Sequence, residues 1–280
     1  MIGQRNLQSR IEQLIENGTF PRFSIFVGPK GSGKKTFANW IRRYFGQYGL
    51  TISYEATDVK IDTIREIIQR SYKVVDRTIY IIPDADNMSN AAKNALLKVT
   101  EEPPNNAYFI MTLEDENNTL ETIRSRGTVF HMDRYTPDEI FAYYWSLEGS
   151  NIMPHGMPND AELVRELCDT PGDVDILVKM GVQEFYDYVQ LVVDNIAEVS
   201  LANAFKIPSK VALKDDADGY DLRLFWKAFM KVLVDTNRTH DFGAITITSK
   251  YLQKLKIKGI NRQMLIDNWV LEIRELWQSL

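Results

Sequence analysis

Cysteine, long apolar runs and excess positive charge are all scarce in this sequence. Cys168 is the single cysteine among 280 residues, so neither an intrachain disulfide nor a four-cysteine metal site can form. The 33 basic residues are outnumbered by 38 acidic ones, which gives a net charge of −5. A protein that grips nucleic acid over its whole surface needs a cationic surface, because neutralised phosphates supply most non-specific affinity. The composition excludes that class of protein and leaves local basic patches open.

Segments that direct a chain to a membrane are also missing. No run approaches the roughly 18 apolar residues of a membrane span, and Met1-Ile2-Gly3-Gln4-Arg5 lacks the basic-then-apolar pattern of a signal peptide. We therefore expect no membrane partner and a cytoplasmic location. The residues that are present, 44% hydrophobic and 25% charged, are ordinary for a globular protein and suffice for two or three domains.

Apolar residues recur with two kinds of spacing in the first 130 residues. Short continuous runs at 23–27, 78–82 and 108–112 are typical of buried parallel strands. Helical spacing is found at 7–15, after the glycine-rich turn at 28–34, at 61–68 and at 91–100. Strands that alternate with helices predict a parallel sheet with crossover helices on both faces.

Beyond residue 129 the periodicity is helical only. It is interrupted at 149–158 and at Thr170-Pro171-Gly172, and a polar stretch at 207–220 indicates a domain boundary. Helical spacing resumes at 222–234 and at 264–280. The apolar stripe of the last helix is explained either by a core or by a partner subunit. The sequence thus predicts an α/β part followed by an all-α part.

The segment Gly28-Pro29-Lys30-Gly31-Ser32-Gly33-Lys34 follows a predicted strand and opens a predicted helix, which is the context of a P-loop. Gly28, Gly31 and Gly33 would let backbone N–H groups turn toward a phosphate. The helix N-terminus adds partial positive charge, and Lys34 would reach the outer phosphates. The alternative is a tight strand-to-helix turn without a ligand.

The next position of a P-loop carries a Ser or Thr hydroxyl that binds Mg²⁺. Here that position is Lys35, and Thr36 comes one residue late. An ammonium cannot ligate a metal cation and competes with it for the same space. No cofactor is therefore certain: ATP or ADP can bind through its phosphates, whereas Mg²⁺ and any other metal are not expected.

Residues 81–104, Ile-Ile-Pro-Asp-Ala-Asp-Asn-Met-Ser-Asn-Ala-Ala-Lys-Asn-Ala-Leu-Leu-Lys-Val-Thr-Glu-Glu-Pro-Pro, closely resemble the clamp-loader AAA+ subunits of bacteria and phages, the gamma/tau and delta-prime family of DNA polymerase III. Ile123-Arg124-Ser125-Arg126 resembles the family's Ser-Arg-Cys motif, and Ile2-Gly3-Gln4 its N-terminal segment. The resemblance extends over residues 2 to about 180. The cysteine quartet of many bacterial relatives is absent, which favours a phage or divergent version.

The resemblance implies three domains. They are an AAA+ P-loop parallel sheet domain over residues 1–135, a small helical lid over 136–200 and a C-terminal helical collar over 201–280. In this family the collar holds a five-subunit ring that opens a sliding clamp and places it on primed DNA.

Four positions depart from the family pattern. Pro83 occupies the place of the Walker B aspartate, Asp84 that of the catalytic glutamate, and Asp175 that of the second-sensor arginine. Lys35 is the fourth. If the strand were shifted by one residue, Asp84 would instead be the metal carboxylate. Thr112 falls near the first-sensor position, or is an ordinary strand end.

Arg126 is the residue that the resemblance marks as functional. In this family the arginine of the Ser-Arg-Cys motif reaches into the neighbouring subunit's ATP site and stabilises the transferring phosphoryl group. A delta-prime subunit contributes this arginine in trans without hydrolysing ATP itself. The alternative is a strand-end arginine paired with a nearby carboxylate such as Glu121.

Arg65, Lys93 and Lys98 lie on predicted helices that face the DNA channel in related loaders. Contacts there would go to phosphates, so binding would be independent of sequence and sensitive to salt. The alternative is a solvated helix face.

The resulting hypothesis is a non-hydrolysing, delta-prime-like subunit of a clamp loader in DNA replication. Its expected partners are gamma/tau-type ATPases and a delta-type subunit in a pentameric ring, a sliding clamp, and primed DNA through the assembly. The alternatives are an active clamp-loader ATPase subunit and an AAA+ scaffold or helicase-loader relative.

Overall fold

The computed structural model describes residues 3–49, 51–55, 58–148, 158–211, 219–236, 242–257 and 259–279. The chain divides into two compact units, one made of residues 1–139 with 170–172 and the other of 140–169 with 173–280. The predicted interruption at 149–158 lies almost entirely outside the described residues, and so do residues 212–218 of the predicted boundary at 207–220.

A five-stranded sheet forms the centre of the first unit. Its strands are β1 (Phe23–Val27), β2 (Thr51–Glu55), β3 (Arg77–Ile82), β4 (Ala107–Leu113) and β5 (Thr128–His131). All paired strands are parallel, in the order β2-β3-β4-β1-β5. The predicted strands β1, β3 and β4 are confirmed, and so is the predicted α/β fold class. The edge strands β2 and β5 were not predicted.

Helices cover the sheet and make up the second unit. They are α1 (Arg5–Glu16), α2 (Lys34–Gly46), α3 (Ile61–Ser71), α4 (Asn90–Glu101), α5 (Glu121–Arg124), α6 (Pro137–Glu148), α7 (Pro158–Leu167), α8 (Pro171–Met180), α9 (Val182–Asn195), α10 (Leu201–Ala204), α11 (Leu222–Asp235), α12 (Phe242–Lys254) and α13 (Arg262–Gln278). The helical segments predicted from apolar spacing are confirmed, whereas α5, α10 and α12 were not predicted. Within the described ranges, no helix has the length and apolar character that a membrane crossing requires.

The sheet buries side chains on both faces. Alternate residues of β1 point to opposite sides: Ile25 packs in the core beneath α3 and α4, and Phe26 packs in the core beneath α1 and α2. The same alternation continues along β3 and β4. Because both faces are covered, the central strands consist almost entirely of apolar residues. This arrangement brings the carboxyl ends of β1, β3 and β4 to one edge of the sheet.

In the second unit α11 is the central helix. It packs against α7, α9 and α12, and α12 packs against α13. Its basic residues at four-residue spacing meet acidic residues of the α7–α8 region, in the pairs Arg223–Asp173, Lys227–Asp169 and Lys231–Glu166. Helices from both sides of residue 200 thus share one unit, and the division into lid and collar stays a prediction.

Candidate nucleotide-binding site

The glycine-rich segment forms the turn between β1 and α2. Gly31 and Gly33 have φ angles of +79° and +81°, a conformation that glycine adopts without strain. Gly28 donates its N–H to the carbonyl oxygen of Leu113 over 3.1 Å. A Cβ on Gly28 would lie 2.8 Å from side-chain atoms of Met132, so this position also requires glycine. The loop therefore has a backbone form that could surround a phosphate.

Lys34 is the first residue of α2 and is only 7% exposed. Its Nζ donates to the carbonyl oxygens of Gly28, over 2.7 Å, and Pro29, over 2.9 Å. The ammonium thus lies over the loop, where a phosphate would sit, and is held by the loop's own carbonyl groups.

Three carboxylates surround this lysine. Burial lowers the pKa of Lys34, while the negative charges of Glu114, Asp84 and Asp86 raise it in part. Burial likewise raises the pKa of Glu114, and the positive charge of Lys34 opposes that shift. Glu114 was not among the residues singled out from the sequence, since no motif marks the position after β4.

Lys35 and Thr36 occupy the first turn of α2 and are exposed. The Nζ atom of Lys35 lies 2.5 Å from Oε1 of Glu55, the last residue of β2. Among the described residues, no three His, Cys, Asp or Glu side chains are arranged to hold a metal ion. The backbone of this turn fits a phosphate, whereas the ammonium of Lys35 occupies the position at which a P-loop hydroxyl would bind Mg²⁺.

The segment after β3 departs from regular strand geometry. In the register of β3 with β4, Ile82 is opposite Met111, so Pro83 and Asp84 lie beyond the paired region. Asp84 has a left-handed φ of +49°, and its N–H donates to Oγ1 of Thr112 over 3.0 Å. The buried Thr112 hydroxyl therefore accepts a hydrogen bond from the backbone next to the Walker B position.

Asp86 organises the chain that follows β4. Its Oδ2 accepts the N–H of Glu114 over 2.7 Å, and its Oδ1 accepts from Asp115 N–H over 3.3 Å and from Asn118 Nδ2 over 3.0 Å. The side chain is 8% exposed. Asp86 therefore fixes the backbone position of Glu114, a function that the sequence did not reveal.

The segment at residues 170–172 contacts the glycine-rich turn. The N–H of Gly172 donates to the carbonyl oxygen of Gly31 over 3.1 Å, and Oγ1 of Thr170 donates to that of Lys30 over 3.4 Å. A Cβ on Gly172 would collide with the Cα of Gly31. The outer side of the loop is therefore held by direct backbone contact between two glycines.

Asp175, which the resemblance would place at the second-sensor position, lies on α8 in the second unit. Its side chain is exposed, and Oδ1 accepts a hydrogen bond from the Tyr143 hydroxyl over 2.9 Å. At this position the chain has a carboxylate held by a tyrosine, instead of a cation.

Arg126 lies in the turn between α5 and β5. Its Nη1 donates to the carbonyl oxygen of Thr122 over 2.6 Å, and its Nη2 donates to the carboxylate of Glu101 at the end of α4. The sequence had suggested Glu121 as the alternative partner, and this is corrected to Glu101. The two are brought together because α4 and α5 pack side by side.

Arg126 and the glycine-rich turn lie at opposite ends of the parallel strands, Arg126 near their amino ends and the turn at their carboxyl ends. Thr128, the first residue of β5, is opposite Ser24 near the start of β1, whereas Gly28 follows the end of β1. Four residues of extended strand separate the two ends by about 13 Å. The backbone at Arg126 therefore lies near the end of the sheet opposite to the loop of its own chain.

The three residues proposed to contact DNA differ in exposure. Arg65 and Lys98 are exposed, and Nη1 of Arg65 lies 3.7 Å from Oδ1 of Asp62. Lys93 is 8% exposed, and its Nζ donates to the carbonyl oxygen of Asn118. The expectation that Lys93 belongs to a solvated, DNA-facing surface is thereby corrected, because its ammonium is directed into the protein.

Sequence comparisons show that this chain is similar to subunits of DNA polymerase III and of replication factor C. The family described as DNA polymerase III, delta subunit, matches residues 49–136. Replication factor C small subunit 1 of Pyrobaculum islandicum is 27% identical over 60% of this chain and 54% of its own length. Replication factor C subunit 4 of Encephalitozoon cuniculi is 30% identical over 60% and 56%. DNA polymerase III subunit gamma of Buchnera aphidicola is 25% identical over 60% and 53%. The chain spans about half the length of these curated relatives.

Solved structures share the fold along almost the whole chain. A gamma-subunit-related protein of DNA polymerase III from Thermotoga maritima is 16% identical, with a TM-score of 0.50 over 95% of this chain and 98% of its own. The RuvB Holliday junction branch migration motor of the same organism is 18% identical, with a TM-score of 0.52 over 97% and 88%. At these identities the likeness concerns the fold. The sequence matches and the shared fold together make this chain similar to clamp-loader AAA+ subunits.

Proposed function

We propose that this chain is a non-hydrolysing, delta-prime-like subunit of a sliding-clamp loader in DNA replication. One observation carries the proposal: the glycine-rich loop keeps a phosphate-binding backbone, while Lys35, paired with Glu55, stands where a Mg²⁺ ligand belongs. Pro83 at the Walker B position removes the second ligand. Phosphoryl transfer depends on positioning and charge neutralisation, so a site without these ligands lacks most of what the reaction needs.

The topology of the sheet supports a role for Arg126 in trans. This residue lies near the end of the sheet opposite to its own glycine-rich loop, so a phosphate that it stabilises belongs to another molecule. In the proposed assembly that molecule is a gamma/tau-type ATPase, next to this chain in a pentameric ring that also contains a delta-type subunit. The ring would act on a sliding clamp and primed DNA, in the cytoplasm.

The ion pair with Glu101 is compatible with that role. Glu101 is about half exposed, with a side-chain accessibility of 52%, and exposed pairs of this kind contribute about 0–1 kcal/mol. Hydrogen bonds between a guanidinium and phosphate oxygens are charge-assisted on both sides and are frequently bidentate. Arg126 can therefore leave Glu101 for a phosphate at little cost in free energy.

The test is steady-state ATP hydrolysis by the assembled ring with clamp and primed DNA. Arg126→Ala should lower turnover at the site next to this subunit by at least about a hundredfold, since a trans-acting arginine contributes about 10³ to 10⁵ in rate. In the assembled ring, the expected measurement is a loss of the ATP turnover that one class of ATP site contributes. Arg124→Ala, two residues earlier, is the matched control and should leave turnover unchanged at equal assembly. An unchanged rate for Arg126→Ala would mean that the arginine serves only its contacts with Glu101 and Thr122.

An active ATPase is the second candidate, because Lys34 and the loop glycines have kept their places. Sustained Mg²⁺-dependent ATP turnover by the isolated chain would favour it. A scaffold or helicase-loader role would gain support if the chain failed to assemble with any clamp-loader ATPase.

A further inference from the structure

We infer that Glu114 is the residue that keeps nucleotide out of the glycine-rich loop, and that neutralising this one carboxylate lets the loop bind ADP. The inference goes beyond the missing metal ligands, which concern hydrolysis and leave binding open. It predicts a gain of binding, which a merely damaged loop could not give.

Strand pairing brings Glu114 to the loop. Val27, the last residue of β1, is opposite Leu113, the last residue of β4, and Gly28 N–H donates to the Leu113 carbonyl oxygen over 3.1 Å. Glu114 and Gly28 therefore leave the sheet at the same level and side by side. Asp86 then holds the backbone of Glu114 in place through the 2.7 Å hydrogen bond from its N–H.

The charge at this position opposes an incoming phosphate. Glu114 is an exposed residue, but partial desolvation of its carboxyl group raises the pKa, and the positive charges of Lys34 and Lys30 oppose that shift. A nucleotide would bring its negative charge next to this carboxylate, in surroundings where water screens charges less than in bulk. Lys34 would also have to leave the carbonyl oxygens of Gly28 and Pro29.

The other two carboxylates are less effective barriers. Asp86 already accepts hydrogen bonds from two backbone N–H groups and the Asn118 amide, which compensates its charge locally. Asp84 follows β3, which β4 separates from β1, so its backbone leaves the sheet about 4.8 Å farther from the loop than that of Glu114. Of the three, Glu114 leaves the sheet directly beside the loop and has the largest electrostatic effect on Lys34.

The shape of the loop is not the obstacle. Gly31 and Gly33 have the left-handed φ angles that turn N–H groups inward, and Gly33 directly precedes α2, so the helix N-terminus adjoins the loop. Once the carboxylate at 114 is neutral, the loop keeps every element that holds a phosphate without a metal.

The experiment titrates the isolated full-length chain with ADP that carries a methylanthraniloyl fluorophore, followed by fluorescence anisotropy in EDTA. Glu114→Gln, which keeps the size of the side chain, should bind at least about tenfold more tightly than the wild type, because a unit charge beside a bound phosphate is removed. Glu121→Gln, an exposed residue of α5, is the matched control and should behave as the wild type. Glu114→Thr serves as a second neutral variant if the glutamine variant folds poorly.

Thermal unfolding with and without ADP checks the same point by linkage. A ligand that binds only the folded state raises the midpoint, so excess ADP should stabilise Glu114→Gln and leave the wild type unchanged. Equal affinity of wild type and Glu114→Gln would overturn the inference, whether both bind or neither binds. Because these measurements use the isolated chain, their failure would leave the test of Arg126 in the ring unaffected.

Discussion

At the residue scale, several side chains with catalytic-looking chemistry serve the backbone instead. Asp86 belongs to a motif that resembles a Walker B region, yet it accepts N–H groups from the chain after β4. Lys93 donates to the carbonyl oxygen of Asn118. Backbone groups beyond the ends of strands have no ladder partner and must be satisfied by other means. The partners lie 25 to 32 residues away along the chain, so spacing within a motif could not reveal them.

Asp86→Ala is expected to lower the free energy of unfolding by about 1–3 kcal/mol, because it leaves partly buried N–H donors without an acceptor. Asp86→Asn retains one acceptor oxygen and should lose less. Urea unfolding measures both, and the exposed Asp76→Ala is the control with the same atoms removed. A loss no larger than that of the control would show that the loop after β4 is held by other contacts.

At the scale of elements, the strands that have a neighbouring strand on both sides could be predicted from the sequence. The central strands β1, β3 and β4 are continuous apolar runs, and each was recognised as a strand. The edge strands β2 and β5, Thr-Ile-Ser-Tyr-Glu and Thr-Val-Phe-His, pair on one side only. Fewer of their positions need to be apolar, so the signal is weak. The helix α12 was missed because Ile-Thr-Ile-Thr alternates as a strand would. Tertiary packing overrides that local preference.

The candidate site was predictable to a similar extent. The glycine-rich loop and Arg126 are marked by motifs of adjacent residues, and their positions follow from the order of elements. Glu114 and Glu101 come from other parts of the chain and reach Lys34 and Arg126 only through strand order and helix packing. Such contacts depend on the fold, and no local pattern records them.

The contact between α8 and α11 gives the element-scale prediction. Asp173 is 1% exposed, and Arg223 of α11 donates to both of its carboxylate oxygens. Arg223→Met should lower the free energy of unfolding by about 3–5 kcal/mol, because a buried carboxylate is left without its cation. Urea unfolding of the full chain measures this. Lys250→Met breaks the exposed pair with Glu272 and, as control, should change stability by less than about 1 kcal/mol. Similar losses in both variants would contradict the assignment of a buried pair.

At the scale of the whole molecule, the proposed function would make the chain contribute to two ATP sites, each of them completed by a neighbouring subunit. One end of its sheet has a nucleotide loop with the metal-binding positions replaced, and the opposite end has an arginine without a phosphate of its own. Under this proposal, neither feature would be sufficient for catalysis by one chain. In a ring each end would adjoin a different neighbour, so the proposed assembly accounts for both features together.

Net charge sets the last prediction, which concerns DNA. With a charge of −5, the isolated chain should bind primed DNA no more tightly than non-specific binders do, with a dissociation constant of about 10⁻⁴–10⁻⁶ M at physiological salt.

In the ring, replacing Arg65 and Lys98 together by Ala should reduce the slope of log K against log salt by about 1.8, since each phosphate that is no longer neutralised accounts for about 0.9. Lys256→Ala removes an exposed charge of the second unit and is the control. An unchanged slope would assign Arg65 and Lys98 to an ordinary solvated face. A reduced slope that is equal for unrelated DNA sequences would mean that both residues read only the backbone, as the absence of an overall cationic surface leads us to expect.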